Sequence, residues 1–383
     1  MAFNGLATHD QFTAIGEDVS DIVAFLAPME TPLLDIVGAS DRPATSVKHE
    51  WVEDTLNPTT DALSTAVAST GRAAGDQVGL NVANPGRFRL GDLVQMGTGA
   101  ARETLLVNSV YTANTIGAAS GYGGSTIVNS LGAGNVVEIV GNAALEGEDT
   151  DEDRSVVQVR RANYTQIFKA GIKLSGTALA TSWITTRDKL AEQKVSRLRE
   201  LLVQLEKTIL LGRTGVATIG SDVNRRSMAG IVASLSTNIQ SWGTFTESGL
   251  NNMLQLAYNQ GSRNTDLVVV PPSVKREMSQ WNANRIQIVQ NAPEGKARDD
   301  WFRSLVSVYE SDFGVQQVVM NRWLTNTGIK ALALDSSRIR VVPLSGRSFA
   351  YQELAKGGDW IKGQVVGEYS LEFRNENAHA AMV

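Results

Sequence analysis

Histidine, cysteine, paired carboxylates and glycine-rich phosphate loops are the usual carriers of chemistry at neutral pH, and this chain spends few residues on them. Its three histidines are His9, His49 and His379. None has a metal-ligating neighbour at helical spacing, and His49-Glu50 lacks the second His that a zinc-protease helix needs. They read as surface or strand histidines. The absence of cysteine excludes disulfides, thiolate metal sites and cysteine nucleophiles. No Gly-x-Ser-x-Gly elbow occurs to present a nucleophilic serine. Gly97-Thr-Gly99-Ala-Ala-Arg102 has two of the three glycines of a dinucleotide loop. It precedes a second strand-like run, so a phosphate there would meet no helix N-terminus. No Walker sequence is present. The expectation is no catalytic residue, no metal site and no cofactor.

Two further stretches need an account. The run Gly147-Glu-Asp-Thr-Asp151-Glu-Asp153 starts like a calcium loop, but Arg154 stands at the sixth position and Arg160 at the twelfth. A calcium loop needs Gly and Glu there. It reads either as a solvated turn or as an acidic turn meeting a neighbour's arginines. Asn163-Tyr-Thr165 matches a glycosylation acceptor, a match without meaning unless a secretion signal precedes it.

The elements that would position contacts are clearer. The chain has 383 residues, enough for two to three domains, with 42% hydrophobic and 20% charged residues and a net charge of −5. That balance argues against wrapping nucleic acid by counterion release, which needs a concentrated basic face. It leaves room for enclosing DNA without gripping it. No apolar run approaches the ~20 residues of a membrane span.

Residues 1–47 read as an arm. Val19, Ile22, Val23 and Leu26 fall on one helical face, and Pro28 and Pro32 break the helix. Residues 48–56 read as a strand carrying Trp51, and 57–86 as an extended loop. Short apolar runs between glycine-rich turns make 87–146 all-β. A second long strand is expected across 156–175, running beside the first. Leu190, Val195, Leu198, Leu201, Leu202, Leu205 and Ile209 recur at three- and four-residue spacing, which predicts a helix over 187–211. Thr185 and Asp188 suit its start and Gly212 its stop. Beyond 230, helix and strand alternate: a helix over 249–258, strands over 266–270, 315–320, 329–334 and 339–342, a helix from Pro271 through Trp281, and a loop tip at 291–300. A strand pair spans 360–373.

Several phrases stand in a telling order. They are the arm Ile15–Leu34, His49-Glu-Trp-Val-Glu-Asp-Thr-Leu56, Gly141-Asn-Ala-Ala-Leu-Glu-Gly147, Asn163-Tyr-Thr-Gln-Ile-Phe168, Leu174-Ser-Gly-Thr-Ala178 and Gly367-Glu-Tyr-Ser-Leu-Glu-Phe-Arg-Asn-Glu-Asn377. In this order, spanning nearly the whole chain, they resemble the SU-10-like group of tailed-phage major capsid proteins, whose shell fold is Hong Kong 97-like. The match is weakest over 231–350, where only strand-helix alternation agrees.

The resemblance implies an α+β Hong Kong 97-like capsid fold with a β-rich insertion domain. Residues 1–47 become the N-terminal arm, and 48–86 with 147–175 the extended loop. Residues 87–146 become the insertion domain, 176–230 with 351–383 the peripheral domain around a spine helix at 187–211, and 231–350 the axial domain. The implied function is a major capsid protein that self-assembles into hexamers and pentamers of an icosahedral shell around double-stranded DNA. The implied partners are a separate scaffolding protein (the arm being short), a portal and a cement protein. The place is the virion, assembled in the host cytoplasm, with no membrane and no sequence-specific DNA contact. Nothing marks a Lys-Asn crosslinking pair, Lys169 and Asn375 included. Expected inter-subunit contacts are Ile22, Phe25, Leu33, Trp51, Asp151, Asp153, Arg160 and Arg161. The competing readings are an encapsulin-like nanocompartment shell and a phage tail or adhesion protein.

Overall fold

The structure, a computed structural model, describes residues 30–40, 42–68, 72–98, 101–110, 114–128, 130–147, 149, 155–181, 188–215, 219–241, 243–262, 265–283 and 308–383. The expected arm helix with Ile22 and Phe25, the residues Asp151 and Asp153, Thr185 and the loop tip at 291–300 lie outside these. The chain divides into two compact units, Val52–Val159 and the remainder, Met1–Trp51 with Arg160–Val383.

In chain order, α1 (Pro32–Val37) and β1 (Lys48–Glu53) come first, the last two residues of β1 falling in the smaller unit. That unit holds β2 (Thr60–Ala62), β3 (Val67–Ala68), β4 (Gln77–Asn81), β5 (Asp92–Thr98), β6 (Ala101–Val110), β7 (Thr115–Ala119), β8 (Ser130–Leu131) and β9 (Val136–Asn142). Then come β10 (Val159–Tyr164), β11 (Gln166–Ser175), α2 (Gly176–Ala180), α3 (Lys189–Leu211), α4 (Ile231–Ser234), β12 (Ile239–Gln240), α5 (Glu247–Asn259), β13 (Leu267–Val270) and α6 (Pro272–Ala283). The chain closes with β14 (Val308–Ser311), β15 (Gly314–Met320), β16 (Ala331–Leu334), β17 (Ile339–Pro343), β18 (Ala350–Leu354), β19 (Trp360–Phe373) and β20 (Ala380–Met382).

The smaller unit is a six-stranded sheet in the order β2-β9-β5-β6-β7-β4, with the short pair β3-β8 beside it in sequence. Alternation places Val94 and Met96 of β5, and Leu105 and Val107 of β6, in one fully buried core with Leu80, Ile116 and Val137. Residues 57–86 are therefore not an extended loop. They supply β2 and β4, which pair with β9 and β7. Their polar composition hid this because both are edge strands with only one side chain in each buried, Asp61 and Leu80. Buried Glu103 in β6 pairs with Arg72 at 2.7 Å and accepts the Val128 amide at 2.9 Å. Glu103 also accepts the Gly121 amide at 3.2 Å, and Arg72 donates to the Val128 oxygen at 2.5 Å, so the buried carboxylate is met from several sides.

In the larger unit a mixed six-stranded sheet runs β12-β20-β16-β13-β15-β14. β13 and β16 are buried at every position. Their alternate residues serve two cores: Leu267, Val269, Leu332 and Leu334 on one face, Val268, Val270, Ala331 and Ala333 on the other. Continuous apolar runs are what a sheet covered on both faces requires. α5 and α6 supply Leu250, Met253, Val274 and Met278 to the second core. The first core joins the sheet to α3 and to a second sheet.

That second sheet centres on β19, flanked by β11 on one edge and by β17 and β18 on the other. The expected strand pair at 360–373 is one strand of 14 residues. On its odd-numbered side Val365, Tyr369, Leu371 and Phe373 pack with Leu201, Leu205 and Ile209 of α3. Each such aliphatic side chain contributes roughly 1.5–3 kcal/mol when fully buried. A Cβ on Gly363 or Gly367 would fall within 2.4 Å of the Tyr351 or Phe349 ring. Glycine at both places lets those rings lie against the strand.

α3 runs close to the expected bounds. Asp188 is its N-cap, accepting the Ala191 amide at 3.0 Å. Gly212 ends it as expected, though not by a left-handed turn. Its φ of −55° suits any residue. A Cβ there would lie 2.4 Å from the Thr208 oxygen and 2.8 Å from the Met228 oxygen, so close backbone approach selects glycine.

The shared sheet sets one expected outcome. Replacing residues 57–145 with a short Gly-Ser linker should leave the larger unit folded, with its cooperative thermal transition intact by circular dichroism. Replacing only 87–146 strands β2 and β4 without partners and should give aggregated protein. Equal behaviour of the two excisions would contradict the shared sheet.

Candidate assembly surfaces

β1 and β10 form a separate two-stranded ribbon. Its base is seated on the even-numbered face of β19, where Glu368, Ser370 and Glu372 are buried. His49 of β1 reaches Glu372 at 2.9 Å, and Arg374 pairs with the same carboxylate. Burial alone would push the Glu372 carboxyl up; the His49 hydrogen bond and the Arg374 charge outweigh it and hold it below the usual range. Next along, Glu368 accepts the Thr165 hydroxyl at 2.5 Å and pairs with Arg226 and, at 2.8 Å, with Arg347. Ser370 donates to the Tyr164 oxygen at 3.2 Å.

Asn163 is the clamp of this seat. Its Nδ2 donates to the Leu371 and Ala229 oxygens at 2.8 and 3.0 Å, and its Oδ1 accepts the Ala229 amide at 2.9 Å. An asparagine this fully committed is a structural clamp, which absorbs the glycosylation-like match. Outward from the seat, Arg160 stays exposed and pairs only loosely with Glu50 at 3.7 Å. Trp51 is half-buried, its ring 6.0 Å from that of His49. Arg161 is exposed on β10.

The start of α1 is fixed by a different carboxylate. Glu206, on the buried side of α3, accepts the Leu33 and Leu34 amides at 3.0 and 2.9 Å and the Asn321 side chain at 2.6 Å. It thus satisfies backbone donors at the start of α1 that the short helix cannot satisfy itself. Burial pushes the Glu206 carboxyl above its usual value, only partly offset by those donors. Leu33, expected at a subunit contact, is fully buried in this chain's own core instead. Its place beside α3 leaves it no surface to offer a neighbour.

His379 is also buried rather than at the surface. Its Nδ1 accepts the Asp335 amide at 3.1 Å and its ring stacks on Phe373 at 4.3 Å. Burial lowers its pKa to about 4, despite the nearby Asp335 and Glu376. Among the described residues no cluster of three or more His, Cys, Asp or Glu could hold a metal, and no helix is long and apolar enough to cross a membrane.

A ribbon with a buried polar seat, one long helix across a β-sheet and a β-rich unit inserted between the ribbon's strands is an architecture with known relatives. The family model described as SU10 major capsid protein matches residues 4–383. The chain belongs to the SU10 major capsid protein family. Among solved structures it is similar to a chain from Mycobacterium phage Ogopogo, at 10% identity and TM-score 0.51 with 99% of each chain covered. It is similar to the capsid of Myoviridae phage XM1, at 10% identity and TM-score 0.50 with 100% of each chain covered. A chain in the capsid of an empty GTA particle matches at 9% identity and TM-score 0.53, covering 100% of this chain and 99% of that one. Among curated proteins none matches. At such identities the likeness carries the fold, which is the Hong Kong 97-like capsid fold, and the family carries the role of major capsid protein.

Of the residues expected to meet neighbours, Trp51, Arg160 and Arg161 lie together on the ribbon. The residues that seat the capsid protein's ribbon and α1, Glu206, Glu368, Glu372 and Asn163, were not expected from sequence to be structural anchors; Asn163 stood out only as a glycosylation-like match. The only signal was polar residues at alternate positions of an otherwise apolar strand, and a Glu on the apolar stripe of α3.

Two outcomes follow from these buried groups. Glu206→Leu should cost about 2–3 kcal/mol by leaving two amides and Asn321 unmet, and hydrogen exchange at the Leu33 and Leu34 amides should accelerate. Unchanged exchange there would remove Glu206 from its anchoring role. For His379 the folded pKa lies below the ordinary 6.5, so the unfolded chain binds the extra proton first. Stability is full above about pH 6.5 and falls towards pH 4, by on the order of 3 kcal/mol. His379→Gln keeps an acceptor for Asp335 and should flatten thermal denaturation midpoints across that window.

Proposed function

We propose that this capsid protein builds the shell of a tailed bacteriophage as hexamers and pentamers around double-stranded DNA. The β1–β10 ribbon carries the reading. Among the described residues neither strand has a second partner, and unpaired edges are templates for another chain. A two-stranded ribbon alone is only marginally stable in water. Along it and just beyond it Val52, Leu56 and Val157 are 57%, 94% and 85% exposed. Such a surface is stabilised when copies cover one another, and symmetric rings close those contacts.

In this reading residues 1–47 act as an arm over a neighbour, the ribbon is the stem of the extended loop, and the Val52–Val159 unit is the insertion. A net charge of −5 suits a wall that encloses DNA without holding it. Scaffold, portal and cement functions fall to separate proteins, assembly takes place in the host cytoplasm, and the chain itself catalyses nothing.

Negative-stain imaging of the purified chain tests this. The expected result is closed shells, or rings and sheets of subunits. A 41.2 kDa monomer that stays monomeric after addition of lysate from phage-infected cells would overturn it.

A further inference from the structure

A cleft of about 780 Å³ lies beside β11. It is lined by Ile167 and Lys169 from that strand and by Ile219, Asn224, Arg225 and Arg226 among the residues that follow α3, all in the larger unit. Among the described residues three cations line it and no carboxylate does. Arg226 is committed: it pairs with Glu368 and donates to the Thr165 oxygen at 3.0 Å. Lys169 and Arg225 are exposed and make no ion pair among the described residues. The wall is held by its own bonds, with the Asn224 amide on Ser221 Oγ at 3.1 Å and the Gly215 amide on Ser227 Oγ at 3.0 Å. The chain as a whole is negative, so a built cationic cleft with two uncommitted cations is out of keeping with its surface.

We infer that this cleft receives the acidic run 146–153 of a second copy of the chain. That run carries six carboxylates in eight residues, Glu146, Glu148, Asp149, Asp151, Glu152 and Asp153, an acid density found nowhere else in the sequence. The match extends to apolar surface. Leu145, immediately before the run, is 76% exposed, and Ile167 and Ile219 at the cleft are 43% and 63% exposed. Cations at an accessible rim steer and register a partner more than they tighten it. The three apolar side chains would supply the burial that charge pairs lack. The occupant is a second copy because the shell places many copies in contact, so the inference rests on the shell reading above.

The chain has no cysteine, so an introduced pair can be crosslinked without background. Asp149→Cys in one chain and Arg225→Cys in another are mixed, assembled, imaged and oxidised. A covalent dimer on a denaturing gel is expected from the mixture and from neither variant alone. Asp149→Cys mixed with Arg340→Cys, in the separate cleft lined by Arg42 and Arg340, should give none. Particles without the dimer, or an equal yield from the Arg340 pair, overturn the inference and leave the shell reading standing; absence of particles from the unaltered chain removes the shell reading itself. A second readout is charge reversal. Arg225→Glu and Asp149→Arg chains should each assemble poorly alone and recover when mixed. Failure to recover overturns the inference. So does a Lys169→Glu/Arg225→Glu chain that assembles normally but loses binding to duplex DNA, since the cleft would then be a phosphate site.

Discussion

β19 is the constraint on which the larger unit depends, because its two faces are buried for opposite reasons. From Val365 to Phe373 every residue is buried. The odd positions give the sheet an apolar face for α3, and the even positions carry Glu368, Ser370 and Glu372 into a polar layer. A period of two makes the faces inseparable: a one-residue slip would drive carboxylates into the apolar core and leucine and phenylalanine onto arginines. Register is thereby fixed, and with it the seat of the ribbon. Buried carboxylates are tolerable here because each meets several partners, and removing any one would leave a costly unpaired group.

The polar seat also explains how a protein with little of its own chemistry spends its polar residues. Glu206, Glu368 and Glu372 are buried carboxylates, a pattern that in another fold would suggest acid-base catalysis. Here each is tied to backbone amides, arginines or a histidine within the chain. They hold α1 and the ribbon at set places on the α3–β19 core. A shell subunit needs this, since contacts with neighbours multiply any angular error at the base of an extended element. The smaller unit has an apolar core of its own and a buried Glu103–Arg72 pair.

What could be read without coordinates had strong local physics behind it. Seven apolar residues at helical spacing gave α3 with Asp188 and Gly212 at its ends, and the buried run Leu267–Val270 gave β13. Pro271-Pro-Ser gave the start of α6. Where burial is one-sided or partial, the pattern was silent: β2 and β4 look like loop because both are short and mostly polar, and the buried position of β2 is Asp61. Leu33 looked like an exposed arm residue because a short apolar helix after two prolines does not reveal whose core it enters.

The sequence by itself determined the elements whose stability is local and the family to which their order belongs. It also determined the classes of chemistry the chain lacks, through its missing cysteines and sparse histidines. Tertiary structure alone decided which face of β19 meets α3, that β11 and β17–β18 flank it, and that residues 57–86 join the inserted sheet. It also decided that Glu206 and Asn163 are clamps. These depend on pairing between residues far apart in the chain, as between Glu206 and Leu33 or Asn163 and Leu371. No local period encodes a partner that distant, because the free energy of a buried hydrogen bond is set by the group it meets and not by its neighbours in sequence.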